Sequence, residues 1–232
     1  MYKKSVIHVI ILAAGSGTRM HKKKYKQFLL LNGIPLAMHS IMKLFNIIPD
    51  AIFHIVLPEK KINYWRDLCK KHDFNIPLSL IKGGKNRYSS VKNALNSFKF
   101  NKNDMILIHD SVRPFFTKKL VKSLILSAKK NGHAVPAIEV KDSLRKKTEQ
   151  SENTSSVNRS KFVLTQTPQV FHAEIISKAY SSNQNTLNKT DDVSLIEDFI
   201  FPINLIPGEE FNFKITTIND WELAKIIAPN FN

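Results

Sequence analysis

Val6-Ile7-His8-Val9-Ile10-Ile11-Leu12-Ala13-Ala14-Gly15-Ser16-Gly17-Thr18-Arg19-Met20 reads as a buried strand that runs straight into a glycine-rich loop. Residues 6–12 form a continuous apolar, largely β-branched run without polar alternation, the pattern of a parallel strand covered on both faces. The run carries His8 and leads to an arginine-bearing loop rather than to a small-residue cleavage site. It is therefore read as a strand, not a signal peptide.

Working outward, strand and helix patterns alternate. Helical spacing follows over 35–46, after a turn at Asn32-Gly33. A strand over 51–57 ends at Pro58, and 60–72 reads as a helix. A short strand over 78–81 stops at Gly83-Gly84, a helix covers 89–98, and a strand over 105–108 closes at His109-Asp110. A helix over 118–130 and a strand over 134–140 complete the series. This alternation predicts a three-layer α/β fold with a mainly parallel sheet, in which ligands gather at the carboxyl ends of the strands. Three candidate motifs fall at such ends: Gly15–Arg19, Gly83–Arg87 and His109–Arg113. Beyond them, the polar stretch 145–160 and a strand at 162–164 predict a β-arm over about 140–164. Thr190-Asp191-Asp192 reads as a helix N-cap, Phe213–Thr216 as a last strand, and Asn219-Asp220 as the start of a final helix.

Bulk properties fit one globular unit. A chain of 232 residues with 43% hydrophobic content can bury a sizeable core, and no apolar run reaches the length of a membrane span. One cysteine, Cys69, excludes an internal disulfide framework and a multi-cysteine zinc site. A cytoplasmic enzyme is expected. The net charge of +16 points to an anionic partner. The excess is nearly all lysine, spread along the chain, with no aromatic-interleaved basic stripe of the kind that stacks bases. Nucleic-acid binding is therefore not expected. The chain has only seven glycines; four sit in two tight clusters, each followed by one of the six arginines, Arg19 or Arg87.

The backbone N–H groups of Ala13, Ala14, Gly15, Ser16, Gly17 and Thr18 can surround a triphosphate, with the glycines permitting close approach. The third glycine of a dinucleotide fingerprint and the Gly-Lys-Ser/Thr of a P-loop are both missing. Arg19 and Lys26 can hold bridging and leaving phosphate oxygens. Asp110, after a buried strand, can take Mg²⁺ or a ribose hydroxyl. Each motif also has a purely structural reading. The first loop can be an ordinary strand-to-helix turn, and Lys26 can belong to the solvated run Lys22-Lys23-Lys24. Gly83–Ser90 can be a helix cap, Asp110 and Arg113 an ion pair, and Lys214 a snorkelling edge residue. His8, His39 and His54 read as core or surface residues rather than ligands.

Taken together, these residues resemble the 2-C-methyl-D-erythritol 4-phosphate cytidylyltransferases of the non-mevalonate isoprenoid pathway, from Ile10 to Ala224. The resemblance is carried by Leu12–Met20, Lys26-Gln27-Phe28, Gly83-Gly84 with Arg87 and Ser90-Val91, and Ile108–Pro114. Gln166–Phe171, Thr190-Asp191-Asp192 and Asn212–Thr217 complete it. It implies a single Rossmann-like nucleotidyltransferase domain over 1–232 that transfers a cytidylyl group from CTP to the sugar-alcohol phosphate with Mg²⁺. By resemblance Arg19 and Lys26 are catalytic, Gly83 and Ser90 contact the cytosine with Arg87 also on the nucleotide, and Asp110 sits at the ribose and metal or reaches the substrate. Arg159 and Lys214 would grip the substrate phosphate, with Arg113, Ser143, Thr167, Thr190 and Thr216 close by. The arm would form a homodimer and bring Arg159 to the neighbouring subunit's site. Three positions depart from the family pattern: Tyr25 replaces a proline, His21 a glycine and Ser143 a threonine. A ribitol 5-phosphate cytidylyltransferase shares the fold and most motifs; Asp142-Ser143-Leu144-Arg145 and Thr167–Phe171 favour methylerythritol phosphate.

Overall fold

The computed structural model describes residues 5–15, 25–147, 153–182, 191–200 and 202–231. The first half runs β1 (Ile7–Leu12), β2 (Leu30–Leu31), β3 (Ile34–Pro35), α1 (Leu36–Ile47), β4 (Ile52–Leu57), α2 (Ile62–Lys71), β5 (Leu78–Lys82), α3 (Arg87–Asn96) and β6 (Met105–Asp110). The second half runs α4 (Lys118–Asn131), β7 (His133–Glu139), β8 (Leu144–Lys147), β9 (Thr154–Val157), β10 (Val163–Thr165), β11 (Gln169–His172), α5 (Ala173–Ser182), α6 (Val193–Ile196), β12 (Leu205–Pro207) and α7 (Ile218–Ile227).

The main sheet has the order β10-β7-β11-β6-β1-β4-β5, with β12 beside β7. β6, β1, β4 and β5 are parallel, while β11 runs antiparallel between β6 and β7. The apolar run 6–12 thus becomes the central strand, flanked by β6 and β4. From β1 the chain steps outward through β4 to β5, then returns to place β6 on the other side. The order therefore reverses between β1 and β6, the place where α/β sheets open a crevice for ligands. The register aligns Leu12 with Asp110 on one side and with Val56 on the other.

Period-two alternation sends successive strand residues to opposite faces. Val9 and Ile11 join Ile55 and Leu107 in a core covered by Met38 and Ile41 of α1, Trp65 of α2 and Leu124 of α4. Ile10, Val56, Ile106 and Ile108 face the other layer, under Val91 and Leu95 of α3 and Ile176 of α5. Each such side chain, fully buried, contributes about 1.5–3 kcal/mol relative to exposure. This is the three-layer α/β arrangement expected. A third, smaller cluster of Leu31, Leu36, Val112, Phe115, Ile215 and Ala224 packs the 213–216 segment against the loop after β6. Outside the main sheet, β8 and β9 pair antiparallel as a two-stranded ribbon.

Some details depart from the sequence reading. Residues 213–216 are not a strand. Phe213 and Ile215 alternate with Lys214 as in a strand, but the segment crosses strand ends, held by Ile215 N–H donating to the Val112 carbonyl at 3.0 Å. β11, α5 and β12 have no counterpart in the sequence reading. β11 is only four residues long, too short for a periodicity to stand out. Asp192 does not cap α6 through its side chain; Asp191 accepts from the Ser194 N–H at 3.2 Å instead. Thr190 lies outside the described residues.

Candidate active site

A cavity of about 400 Å³ opens at the carboxyl ends of β1 and β6 and the N-terminus of α3. Ala13, Ala14 and Gly15 form one wall. Buried Gln27 holds that wall in place by donating its amide to the carbonyls of Ala13 at 2.6 Å and Gly15 at 2.9 Å. A side-chain carbon added at Gly15 would meet nothing within 4 Å, so the glycine faces open space. Ser16, Gly17, Thr18 and Arg19, with His21, lie outside the described residues.

Opposite, the turn after β5 approaches this wall closely. A Cβ on Gly83 would lie 2.5 Å from the Ala14 Cβ and 3.3 Å from the Leu57 carbonyl oxygen. Only glycine fits there without displacement. Gly84 N–H donates to the Ser90 hydroxyl at 3.0 Å, and that hydroxyl donates to the Asn86 carbonyl at 2.8 Å. Asn86 and Ser89 form a reciprocal capping box at the start of α3. The capping reading of this motif therefore holds, and the cap points the first turn of α3 at the cavity.

Asp110 lies at the base. Its backbone N–H donates to the Thr167 hydroxyl at 3.0 Å, and its carboxylate lies 2.8 Å from Lys214 Nζ and 3.6 Å from Arg113 Nε. Burial alone would raise the Asp110 carboxyl, but Lys214, Arg87 and Arg113 around it hold it well below the usual carboxylate range. It stays ionised throughout the physiological range. The Asp110–Arg113 ion pair expected as a structural alternative is present as well.

Behind Asp110, fully buried His109 makes contacts from both ring nitrogens, to Thr167 Oγ1 at 3.1 Å and to the Arg113 carbonyl at 3.0 Å. The carbonyl can only accept, so Nε2 carries the proton and the Thr167 hydroxyl donates to Nδ1. Burial pushes this imidazole down to about 4, so it remains neutral.

Lys26 enters from the 3₁₀ turn Lys26–Phe28 and is 9% exposed. Its Nζ donates to the Ile215 carbonyl at 2.9 Å. Lys26 is thus part of the built interior of the site and not of a solvated lysine run. Arg87 borders the cavity from α3, with its guanidinium on the fully buried Asp192 at 2.7 and 2.5 Å. Burial disfavours its charge, but Asp192 beside it keeps it firmly protonated.

Of the sequence candidates, Ala13, Ala14, Gly15, Lys26, Arg87, Ser90, Asp110 and Lys214 line one cavity. Gly83 packs behind its wall, and Thr167 and Arg113 support Asp110 from behind. The Thr216 hydroxyl donates to Asp220 at 2.9 Å, at the start of α7. Ser143 and Arg159 are exposed and do not line the cavity; both flank the Leu144–Val157 end of the β8–β9 ribbon, where the Arg159 guanidinium donates to the Lys141 carbonyl. The sequence reading gives no site role to Gln27, Lys85 or His109, and takes Asp192 only as part of a helix N-cap. All four stand inside motifs quoted above, but the contacts of Gln27, His109 and Asp192 join distant segments that no local pattern connects.

Lys26, Lys85, Arg87 and Lys214 line the cavity with one carboxylate, Asp110; even with Arg87 paired to Asp192, the excess of cations gives a positive field suited to a polyanion. Among the described residues there is no group of three or more metal-ligating side chains. A lone ionised Asp110 still fits Mg²⁺, which commonly takes one carboxylate and completes its shell with water and substrate phosphates.

A family model described as 2-C-methyl-D-erythritol 4-phosphate cytidylyltransferase matches residues 7–229. A protein of that name from Azobacteroides pseudotrichonymphae genomovar. CFP2 is 42% identical over 221 residues, covering 95% of this chain and 97% of the relative. One from Bacteroides fragilis is 35% identical over 218 residues, covering 94% of this chain and 97% of the relative. The crystal structure of the Thermus thermophilus protein of the same name superposes with a TM-score of 0.78 at 28% identity, covering 97% of this chain and 100% of that one. The chain belongs to the 2-C-methyl-D-erythritol 4-phosphate cytidylyltransferase family.

Proposed function

We propose that this chain transfers a cytidylyl group from CTP to 2-C-methyl-D-erythritol 4-phosphate, giving CDP-methylerythritol and pyrophosphate. The observation that carries this reading is the cavity at the β1/β6 switch point, lined by four cationic side chains and one carboxylate. An oxygen of the sugar phosphate forms a new bond to the α-phosphorus. The bond from that phosphorus to the oxygen bridging to the β-phosphate breaks, and pyrophosphate leaves with the electron pair. No proton need move and no protein nucleophile is needed. That suits a site whose carboxylate stays ionised and whose histidine stays neutral. Positioning and electrostatics supply the acceleration.

In this reading the 13–18 loop cradles the triphosphate through its N–H groups. Lys26, with Arg19, stabilises charge at the α-phosphate and the departing pyrophosphate. Gly83, Arg87 and Ser90 take the base and ribose side. Lys214 and Arg113 face the sugar phosphate, with Thr167 and Thr216 on that side; Ser143 and Thr190 are assigned to the substrate by family resemblance alone. Bound Mg²⁺ would neutralise charge on the triphosphate, with Asp110 as its protein ligand. The β8–β9 ribbon would pair two copies into a homodimer and carry Arg159 to the partner's cavity. Among the described residues no helix is long and apolar enough to cross a membrane, and we place the enzyme in the cytoplasm.

A coupled pyrophosphate-release assay with CTP tests the assignment. Turnover with methylerythritol phosphate and Mg²⁺, lost on chelation, is expected. Turnover only with ribitol 5-phosphate would overturn the substrate. Tight, steeply salt-dependent RNA or DNA binding together with undiminished catalysis in Lys26→Ala would overturn the site.

A further inference from the structure

Asp192 takes no part in the chemistry proposed for the cavity, yet it is 0% exposed and its carboxylate is fully engaged. Arg87 reaches it through two parallel N–H···O bonds of 2.7 and 2.5 Å, the bidentate fork that fixes a guanidinium in direction as well as position. Oδ1 also accepts from the Tyr180 hydroxyl at 2.6 Å. Tyr180 is locked in turn: its ring stacks on Tyr88 at 4.9 Å, and the Tyr88 hydroxyl donates to the Tyr180 carbonyl at 2.9 Å. Arg87 therefore cannot swing without breaking a closed network. Next door, Asp191 accepts from the Thr165 hydroxyl at 2.8 Å and the Gln169 amide at 3.1 Å, tying this segment to β10 and β11.

Stability alone does not call for this arrangement. A buried ion pair can often be exchanged for well-packed apolar residues at no loss, because desolvation offsets the attraction. What apolar residues cannot do is aim a charge. Arg87 borders the cavity, and a second carboxylate, Asp110, faces the same space. A guanidinium released from Asp192 would be drawn toward Asp110, which already holds Lys214 and Arg113.

We propose that Asp192 is a positioning residue for nucleotide binding: it holds the Arg87 guanidinium at the CTP cavity and keeps it off Asp110. This rests on the CTP-dependent reading above.

The test is CTP binding by calorimetry together with steady-state kinetics for each substrate. Asp192→Asn should weaken CTP binding about tenfold while leaving the KM for the sugar phosphate within about twofold, a split that general loss of structure does not produce. Arg87→Lys, which keeps the charge but loses the fork, should show a similar loss. The double variant should bind CTP about as well as either single variant, because both act through one contact. Tyr180→Phe, which keeps the ion pair and loses one hydrogen bond, should weaken CTP about two- to threefold. A folded Asp192→Asn with unchanged CTP affinity, or losses that multiply in the double variant, overturns the inference. If Asp192→Asn does not fold, unchanged affinity in Tyr180→Phe overturns it. Wild-type protein that does not bind CTP overturns the functional reading and this inference with it; wild-type binding with an unaffected Asp192→Asn overturns this inference alone.

Discussion

Lys214 Nζ lies 2.8 Å from Asp110 Oδ2, joining the loop after Asn212 to the carboxyl end of β6. The two ends of this pair differ in burial. The Asp110 side chain is 9% exposed, whereas that of Lys214 is 36% exposed and can reach a ligand from the solvent side while Arg113 stays beside Asp110. Lys214→Met leaves Asp110 with Arg113 at 3.6 Å as its nearest ion-pair partner. We expect the KM for the sugar phosphate to rise about tenfold or more, with stability lowered by roughly 1–3 kcal/mol for the under-partnered carboxylate. Steady-state kinetics and urea denaturation measure the two effects separately. An unchanged KM would remove Lys214 from the substrate site.

Lys26 is anchored by the Ile215 carbonyl and lies inside the cavity wall. Lys26→Ala should lower kcat by about 10²–10³, the range seen when one preorganised charge-stabilising donor is removed. The KM for CTP should change less, because the interaction strengthens as charge builds in the transition state. Circular dichroism should stay native. A kcat within about threefold of wild type would deny this lysine a catalytic part.

The central strands and the two glycine turns were legible because each is a local pattern: the run 6–12, the stops at Gly83-Gly84 and at His109-Asp110. Their convergence followed from parallel-sheet topology. Local pattern misleads at Phe213-Lys214-Ile215, where alternation reflects packing of Phe213 and Ile215 into a satellite cluster and no ladder forms. It is silent on Arg87 and Asp192, which meet across 105 positions. An ion pair of that separation leaves no mark in either neighbourhood. Thr190-Asp191-Asp192 accordingly reads as a helix N-cap, a role that Asp191 fills while Asp192 turns to Arg87.

Gly83 is held to its identity by space. Its backbone N–H bonds the Leu57 carbonyl at 2.8 Å, and an added methyl would press on the Ala14 Cβ, which belongs to the phosphate-facing wall. Gly83→Ala should therefore cost about 1–3 kcal/mol of stability, as overpacking does. It should also weaken CTP binding, because either the 13–15 wall or the turn must shift. Calorimetry of CTP binding and thermal melts give both numbers. A variant with wild-type CTP affinity would show that the wall tolerates displacement.

Acid should destabilise the fold well before its carboxylates titrate. His8 and His54 are buried side by side, Nδ1 to Nε2 at 3.2 Å, with Phe98 stacked on both. Burial, and to a lesser degree His8, pushes His54 down to about 4; His8 is lowered by burial against a partial pull upward from Asp104. The folded-state values lie below the unfolded one of about 6.5, so the unfolded chain binds protons first. The contribution of this pair is complete above pH ~6.5 and is lost as pH falls toward 4. For His54 the total is roughly 3 kcal/mol. His54→Gln should flatten the stability profile in that window, measured by urea denaturation at steps of pH. A slope equal to wild type would acquit the histidine pair.

Arg159 supplies the test of the dimer. Within one chain it is exposed, next to the β8–β9 ribbon and outside the cavity that holds Lys26. If the ribbon pairs two copies about a two-fold axis, each cavity takes Lys26 from one subunit and Arg159 from the other. Lys26→Ala and Arg159→Ala should then each be nearly inactive alone. Co-expressed, they form mixed dimers in which one cavity loses both residues and the other keeps both. With random pairing, half of the dimers are mixed and one of their two sites works, so activity should recover to about a quarter of wild type. The recovery should disappear on dilution below the dimer dissociation constant. Co-expressed activity no higher than the sum of the two inactive variants would show that each cavity is completed within its own chain.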